Sequence, residues 1–125
     1  MSQLLGVLLN GVAQLEYDRD KSLNDYQSAY LDDMDRKMDS GIQIGDAQFS
    51  NPDQNQRNQY IAANLLHAMR SGDEPMTSAL CSYLASRIPD MKQLRFTEAG
   101  GEVTIEMVFD EDYRKQVAVR FQRLN

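Results

Sequence analysis

The chain has no tryptophan, one cysteine and one histidine among its 125 residues, and each scarcity removes a class of chemistry. With only Cys81, no intramolecular disulfide framework can form, which suits a reducing compartment and a cytoplasmic location. His67 is the only imidazole, and neither Cys-x-x-Cys nor His-Glu-x-x-His spacing occurs, so zinc lacks a four-ligand set. No glycine loop is followed by the lysine that a phosphate cradle needs. The longest early apolar run, Leu4 to Leu9, stops at Asn10 and Gly11. That is well short of the roughly 20 residues of a membrane span, and no positive segment precedes it as in a secretory leader. Neither membrane association nor a bound cofactor is expected.

Positive charge is scarce where negative charge is dense. The net charge is −6, and residues 1 to 50 hold nine acids against four bases, whereas residues 91 to 125 hold six of each. Nucleic-acid binders need clustered Lys and Arg to displace counterions. An acidic half of this kind argues against a nucleic-acid partner.

What the chain does hold is periodic apolar pattern. Leu5, Leu8, Val12 and Leu15 recur at helical spacing, with Leu4 and Leu9 widening the stripe, which predicts a first helix over Gln3–Tyr17. Asp18 to Lys21 interrupts it. Ser22 followed by Asp25 reads as a new N-cap, and Leu23, Tyr26, Tyr30, Leu31, Met34 and Met38 mark one side of a second helix that ends near Asp39. Asn51, Pro52 and Gln54 read as the start of a central helix that runs to Arg70, polar in its first half and amphipathic in its second. Asp73 caps a fourth helix, whose apolar face is Met76, Leu80, Tyr83, Leu84 and Ile88, and Pro89 ends it. Between the second and third helices, Gly41 to Ser50 reads as an extended crossover laid over the core by Ile42, Ile44 and Phe49.

From Met91 the apolar period changes from helical to two. Leu94 and Phe96 alternate with Arg95 and Thr97, Val103, Ile105 and Met107 alternate with Thr104 and Glu106, and Gly100-Gly101 reads as a two-residue turn. That turn pairs Phe96 with Ile105 and Leu94 with Met107 on one face, and Arg95 with Glu106 and Thr97 with Thr104 on the other. Residues 113–124 satisfy both strand and helix patterns, with the β-branched residues favouring a strand. The expected architecture is therefore one α+β domain over residues 1–125. It has two antiparallel helix pairs followed by a C-terminal antiparallel β-hairpin or three-stranded meander packed on the helices.

Three groups of residues are candidates for a site. Asp32, Asp35 and Asp39 fall on one face of the second helix, where clustered oxygens can hold a hard divalent ion; Arg36 and Lys37 four residues after Asp32 and Asp33 give the competing pattern of a solvated ion-paired face. Asp18-x-Asp20-x-Ser22 opens like a calcium loop but has Leu23 where the turn needs glycine and Ala29 where a bidentate glutamate is needed. Asn64 and His67 lie three apart on the central helix, the place to look for a buried polar network or a small site. Cys81 sits among small residues in the next helix, the setting of a buried inert thiol rather than a nucleophile.

The third group is a pair of contact surfaces. One is the amide-rich start of the central helix with Gln54, Arg57 and Asn58, and the other is the outward sheet face with Arg95 and Glu106. Methionines on helix faces, Met34, Met38, Met69 and Met76, suit core filling or an adaptable binding surface. No catalytic set emerges. The expectation is a non-catalytic protein-interaction module that binds a protein partner or itself as a homodimer, against an alternative of a small divalent-ion or ligand-binding enzyme or sensor that uses the acidic helix and His67.

Overall fold

The computed structural model describes residues 4–21 and 23–114, and its elements run β1 (Leu4–Leu9), β2 (Val12–Asp18), α1 (Asp25–Asp39), β3 (Ile42–Ile44), β4 (Ala47–Phe49), α2 (Gln54–Ser71), α3 (Glu74–Arg87), β5 (Gln93–Ala99) and β6 (Glu102–Val108). Among these residues there are three helices, not two helix pairs, and the segment expected as a first helix is a β-hairpin. The reason lies in two residues read only as breakers. Asn10 and Gly11 adopt φ of 51° and 80°, which is the pair of left-handed conformations that a two-residue hairpin turn requires and that Asn-Gly supplies most readily. Leu5, Leu8, Val12 and Leu15 match a helix only by coincidence. Leu4 to Leu9 is instead a short apolar run buried on both faces, and beyond the turn Val12, Gln14 and Glu16 alternate as exposed positions.

The hairpin at the other end is likewise not a separate unit packed on helices. A single mixed sheet has the order β2-β1-β5-β6, with β1 parallel to β5 and antiparallel pairing on either side. Within β5 and β6 the register is the one that alternation predicts, Phe96 opposite Ile105 and Leu94 opposite Met107. Alternation cannot show, however, that Gly6 to Leu9 adds to β5 through Gln93 to Phe96. The expected third strand falls largely on residues 115–125, outside the described residues.

The helices cover one sheet face, where Leu5, Val7, Leu94 and Phe96 join Leu65, Tyr83 and Leu84 in the core. Asn24 and Asp53 cap α1 and α2, each with a glutamine three residues on that completes a capping box. Both caps lie two residues later than sequence pattern places them, at Asn24 instead of Ser22 and at Asp53 instead of Asn51. Asn51 is left-handed at φ 51° and Pro52 precedes the cap rather than following it. Gly72, also left-handed, ends α2, and Asp73 at once caps α3 as expected. The crossover expected over Gly41 to Ser50 folds as the short β3–β4 hairpin, with Ile42 buried and Ile44 and Phe49 packed against the core.

Two long-range contacts seal the sheet. On the face away from the helices, the Gln93 amide donates to the carbonyls of Glu111 and Asp112 at 2.9 and 3.2 Å, which draws the chain after β6 back across β1. A side chain at Gly6 would overlap the Tyr113 ring, so this glycine, tolerable in a strand only at some entropic cost, leaves room for an aromatic lid. At the end of β2, Arg19 reaches the last turn of α3 and beyond, donating to the carbonyls of Ala85 at 2.6 Å, Ile88 at 3.1 Å and Met91 at 2.5 Å. Ala85 and Ile88 lie at the C-terminal end of α3, where a cation is favoured, and Met91 lies just beyond it.

Both contacts make measurable demands. Gly6→Ala should cost about 1–3 kcal/mol as an overpacking change, and the cost should largely vanish in a Tyr113→Ala background, read by chemical denaturation of all four species. Arg19→Ala should cost roughly 2–3 kcal/mol, since it removes three charge-assisted hydrogen bonds to backbone carbonyls. Arg19→Lys should recover less than half of that, because an ammonium cannot fork between them.

Candidate functional site

Among the described residues a polar cluster spans the three helices and is centred on Asp35. Its carboxylate accepts from Tyr83 Oη at 2.6 Å and Arg57 Nη1 at 3.2 Å on one oxygen, and from Arg87 Nε and Nη2 at 3.1 and 3.0 Å on the other. Arg57 also binds the Asp35 backbone carbonyl at 2.9 Å, the Pro52 carbonyl at 3.0 Å and Asp39 at 2.5 Å. Arg87 reaches Asp32 at 3.1 Å and lies over the Tyr83 ring, 5.1 Å from its centroid. Gln54 donates to Asn58 at 2.8 Å and to Tyr83 Oη at 3.2 Å.

Local sequence explains each position. Asp32, Asp35 and Asp39 share a helix face by their spacing, Gln54, Arg57 and Asn58 share the first turns of α2, and Tyr83 and Arg87 are four apart near the end of α3. Two groups expected to serve separately, the acidic face and the amide-rich start of the central helix, are thus one structure. Tyr83 and Arg87 complete it and were not singled out from sequence. Their one signal is an arginine four residues after a tyrosine on an otherwise apolar helix face.

Electrostatically the centre behaves as a clamp. Partial burial pushes the Asp35 carboxyl up, but the hydrogen bonds from Tyr83, Arg87 and Arg57 outweigh it and hold the group below the usual carboxylate range. Asp39 on its hydrogen bond raises Arg57 further, against partial desolvation. Burial, reinforced by the bond to Asp35, pushes the Tyr83 phenol up to about 12. A carboxylate occupied by four donors and a phenol that keeps its proton offer neither a general base nor a general acid near neutral pH. Among the described residues no group of three or more His, Cys, Asp or Glu side chains is placed to hold a metal ion. Its acids face guanidinium groups instead.

The remaining candidates are dispersed. His67 is exposed, and by helical rise it lies about 15 Å along α2 from Arg57, so it does not join the acidic face. Asn64 donates to the Tyr60 carbonyl of its own helix at 2.8 Å. It shares with His67 the wall of a cleft of about 480 Å³ between α1 and α2, and no hydrogen bond between the two is seen. Cys81 is buried, and burial, against the opposing charge of Arg19, pushes its thiol up to about 12. Such a thiol is a poor nucleophile. Arg95 binds Gln93 at 3.0 Å and pairs with Glu111 at 3.4 Å, with Glu106 opposite it in the strand register. No helix among the described residues is long and apolar enough to cross a membrane. Comparison with protein-family models, curated proteins and solved structures finds no match, which leaves the chemistry of the chain itself to carry the reading.

If Asp35 is the hub, its neighbours in the cluster should matter unequally. Asp35→Asn should cost roughly 2–4 kcal/mol, because it takes a counter-charge away from two partly buried guanidiniums that stay protonated, whereas Asp32→Asn and Asp39→Asn at the exposed rim should each cost under about 1 kcal/mol. The pH dependence has a defined sign. A carboxyl whose folded pKa is depressed stabilises fully above its unfolded value of about 3.9, and that stabilisation is lost as pH falls below it. Urea melts from pH 6 down to pH 2 should therefore lose stability below about pH 4 in the parent chain, with a shallower acid limb for Asp35→Asn.

Proposed function

We propose that the protein is a non-catalytic interaction module that pairs with a second copy of itself through the edge of β6. The observation that carries this reading is a strand edge with no partner among the described residues. There β6 is a terminal strand of the four-stranded sheet, and Glu102–Val108 holds no proline and no bulge, its only charges being Glu102 and Glu106. Val103 is 40 % exposed and Phe109, just past the strand, 47 %. The polar clusters give no competing reason to expect catalysis, since the Asp35 hub is spent on holding helices together.

The sequence of β6 is also self-complementary in one register. A two-fold axis normal to the sheet sets each residue opposite one on the same face, and an axis through Ile105 overlaps the whole strand. Val103 then faces Met107 of the second copy, Thr104 faces Glu106, and Glu102 faces Val108. An axis through Thr104 would set Glu102 against Glu106, a like-charge pair that destabilises.

This register sets opposite expectations for one exposed position. Sedimentation equilibrium should show a reversible dimer, weakened by Thr104→Glu and strengthened by Thr104→Lys, each by roughly threefold to tenfold, because residue 104 faces Glu106 across the axis twice per dimer. A strict monomer at several hundred micromolar, or shifts of the same sign from both variants, would remove the proposal.

A further inference from the structure

The first half of α1 is a helix with almost nothing beneath it. Asn24 to Tyr30 are all exposed, and the buried residues of α1 are Leu31 and Met38. Helical geometry there is held by the capping box of Asn24 and Gln27, and α1 is fastened to the body further along, where Asp32, Asp35 and Asp39 meet Arg57 and Arg87. Pinned at one end, α1 stands off the start of α3. Tyr26 is left 82 % exposed, with Tyr30 and Met76 also open.

Two clefts open where α1 stands away. One of about 380 Å³ is lined by Tyr26 and Tyr30 from α1 and by Met76, Ala79 and Ser82 from α3. The other, of about 730 Å³, reaches β2 and shares Leu23, Gln27, Ser78 and Ser82 with the first, so the two form one groove. Its wall on α3 sets Met76 beside the small Ser78, Ala79 and Ser82, which permit close approach of another backbone, and its opposite wall is of tyrosine, which gives large contact area at low entropic cost. Its charge is one-sided: Asp18, Asp73 and Glu74 line it against Lys21, and none of these three acids enters an ion pair among the described residues.

We infer that the groove between α1 and α3 receives a basic, amphipathic helical segment of a partner protein, apolar face on Tyr26, Tyr30 and Met76 and cationic flank against Asp18, Asp73 and Glu74. An acidic rim around an apolar floor selects that occupant over an acidic helix by like-charge exclusion. The site uses none of the β6 residues, so it stands or falls independently of self-pairing.

The test is fluorescence anisotropy with the full chain and a labelled Leu/Lys amphipathic peptide of about five helical turns, against a Leu/Glu peptide of the same pattern. The Leu/Lys peptide should bind saturably and the Leu/Glu peptide should not. Tyr26→Ala, at a largely exposed position that leaves folding intact, and Ser82→Trp, which fills the groove, should each weaken binding by roughly tenfold or more. Asp46→Asn, which removes an exposed acid in the turn between β3 and β4, should leave it unchanged. Equal binding of the Leu/Glu peptide, wild-type affinity in Tyr26→Ala, or a loss in Asp46→Asn as large as in Tyr26→Ala would each overturn the site, the last by reducing it to general charge attraction.

Discussion

The parallel pairing of Gly6 to Leu9 with Gln93 to Phe96 is the constraint on which the rest of the molecule depends. Joining an early strand to a late one in parallel means that the chain between them must cross from one end of the sheet to the other. β2, the three helices and the β3–β4 hairpin all occupy that crossing. β1 is paired on both edges and buried on both faces. The helices supply Leu65, Tyr83 and Leu84 on one side, and the chain after β6 supplies the Tyr113 ring over Gly6 on the other. Arg19 ties the N-terminal hairpin to the end of α3, just before the chain enters β5. The same corner is thus held by backbone pairing and by a guanidinium acting as a helix cap.

A second level of organisation is the division of labour among the helices. α2 and α3 pack through apolar contacts, whereas α1 joins its buried Leu31 and Met38 to a set of charged contacts through Asp35 and its two arginines. Removing partly buried ions from water costs free energy that apolar packing does not. The return is geometric: four donors in fixed directions set the angle and register of α1 more sharply than a Leu–Leu contact could. Holding a helix firmly at one end while leaving its other half free of the core is what keeps the α1–α3 groove open. The clamp and the groove are in this sense one device.

Local features were legible wherever a short pattern has a single physical solution. Gly100-Gly101 and the strands beside it set their own register, because a slip by one residue would turn every apolar side chain to the wrong face. Asp73 as a cap was equally plain, and Leu80, Tyr83, Leu84 and Ile88 are buried as the apolar pattern of α3 predicts, whereas Met76 is exposed. The N-terminal hairpin was misread because a continuous apolar run satisfies a helical and a buried-strand pattern alike. Asn10-Gly11 carried the decisive information in its backbone preference, not in its hydropathy. In the candidate site, the spacing of Asp32, Asp35 and Asp39 was visible, and so was the polar start of α2. Their convergence was not, since nothing in either stretch names the other as its partner.

By itself, then, the sequence determined the period and turn of the C-terminal hairpin, the Asp73 cap, the acidic bias of its first half and its limit of one cysteine and one histidine. Those are properties of residues within a few positions of one another, where sterics and backbone hydrogen bonding decide. Tertiary structure alone decided that β1 pairs with β5, that Arg19 caps α3, that Tyr113 lies over Gly6, and that three carboxylates on α1 are answered by arginines from α2 and α3. Each of these joins residues far apart in the chain. Such contacts form when burying one apolar surface brings them into reach, a condition met only once the whole sheet has closed.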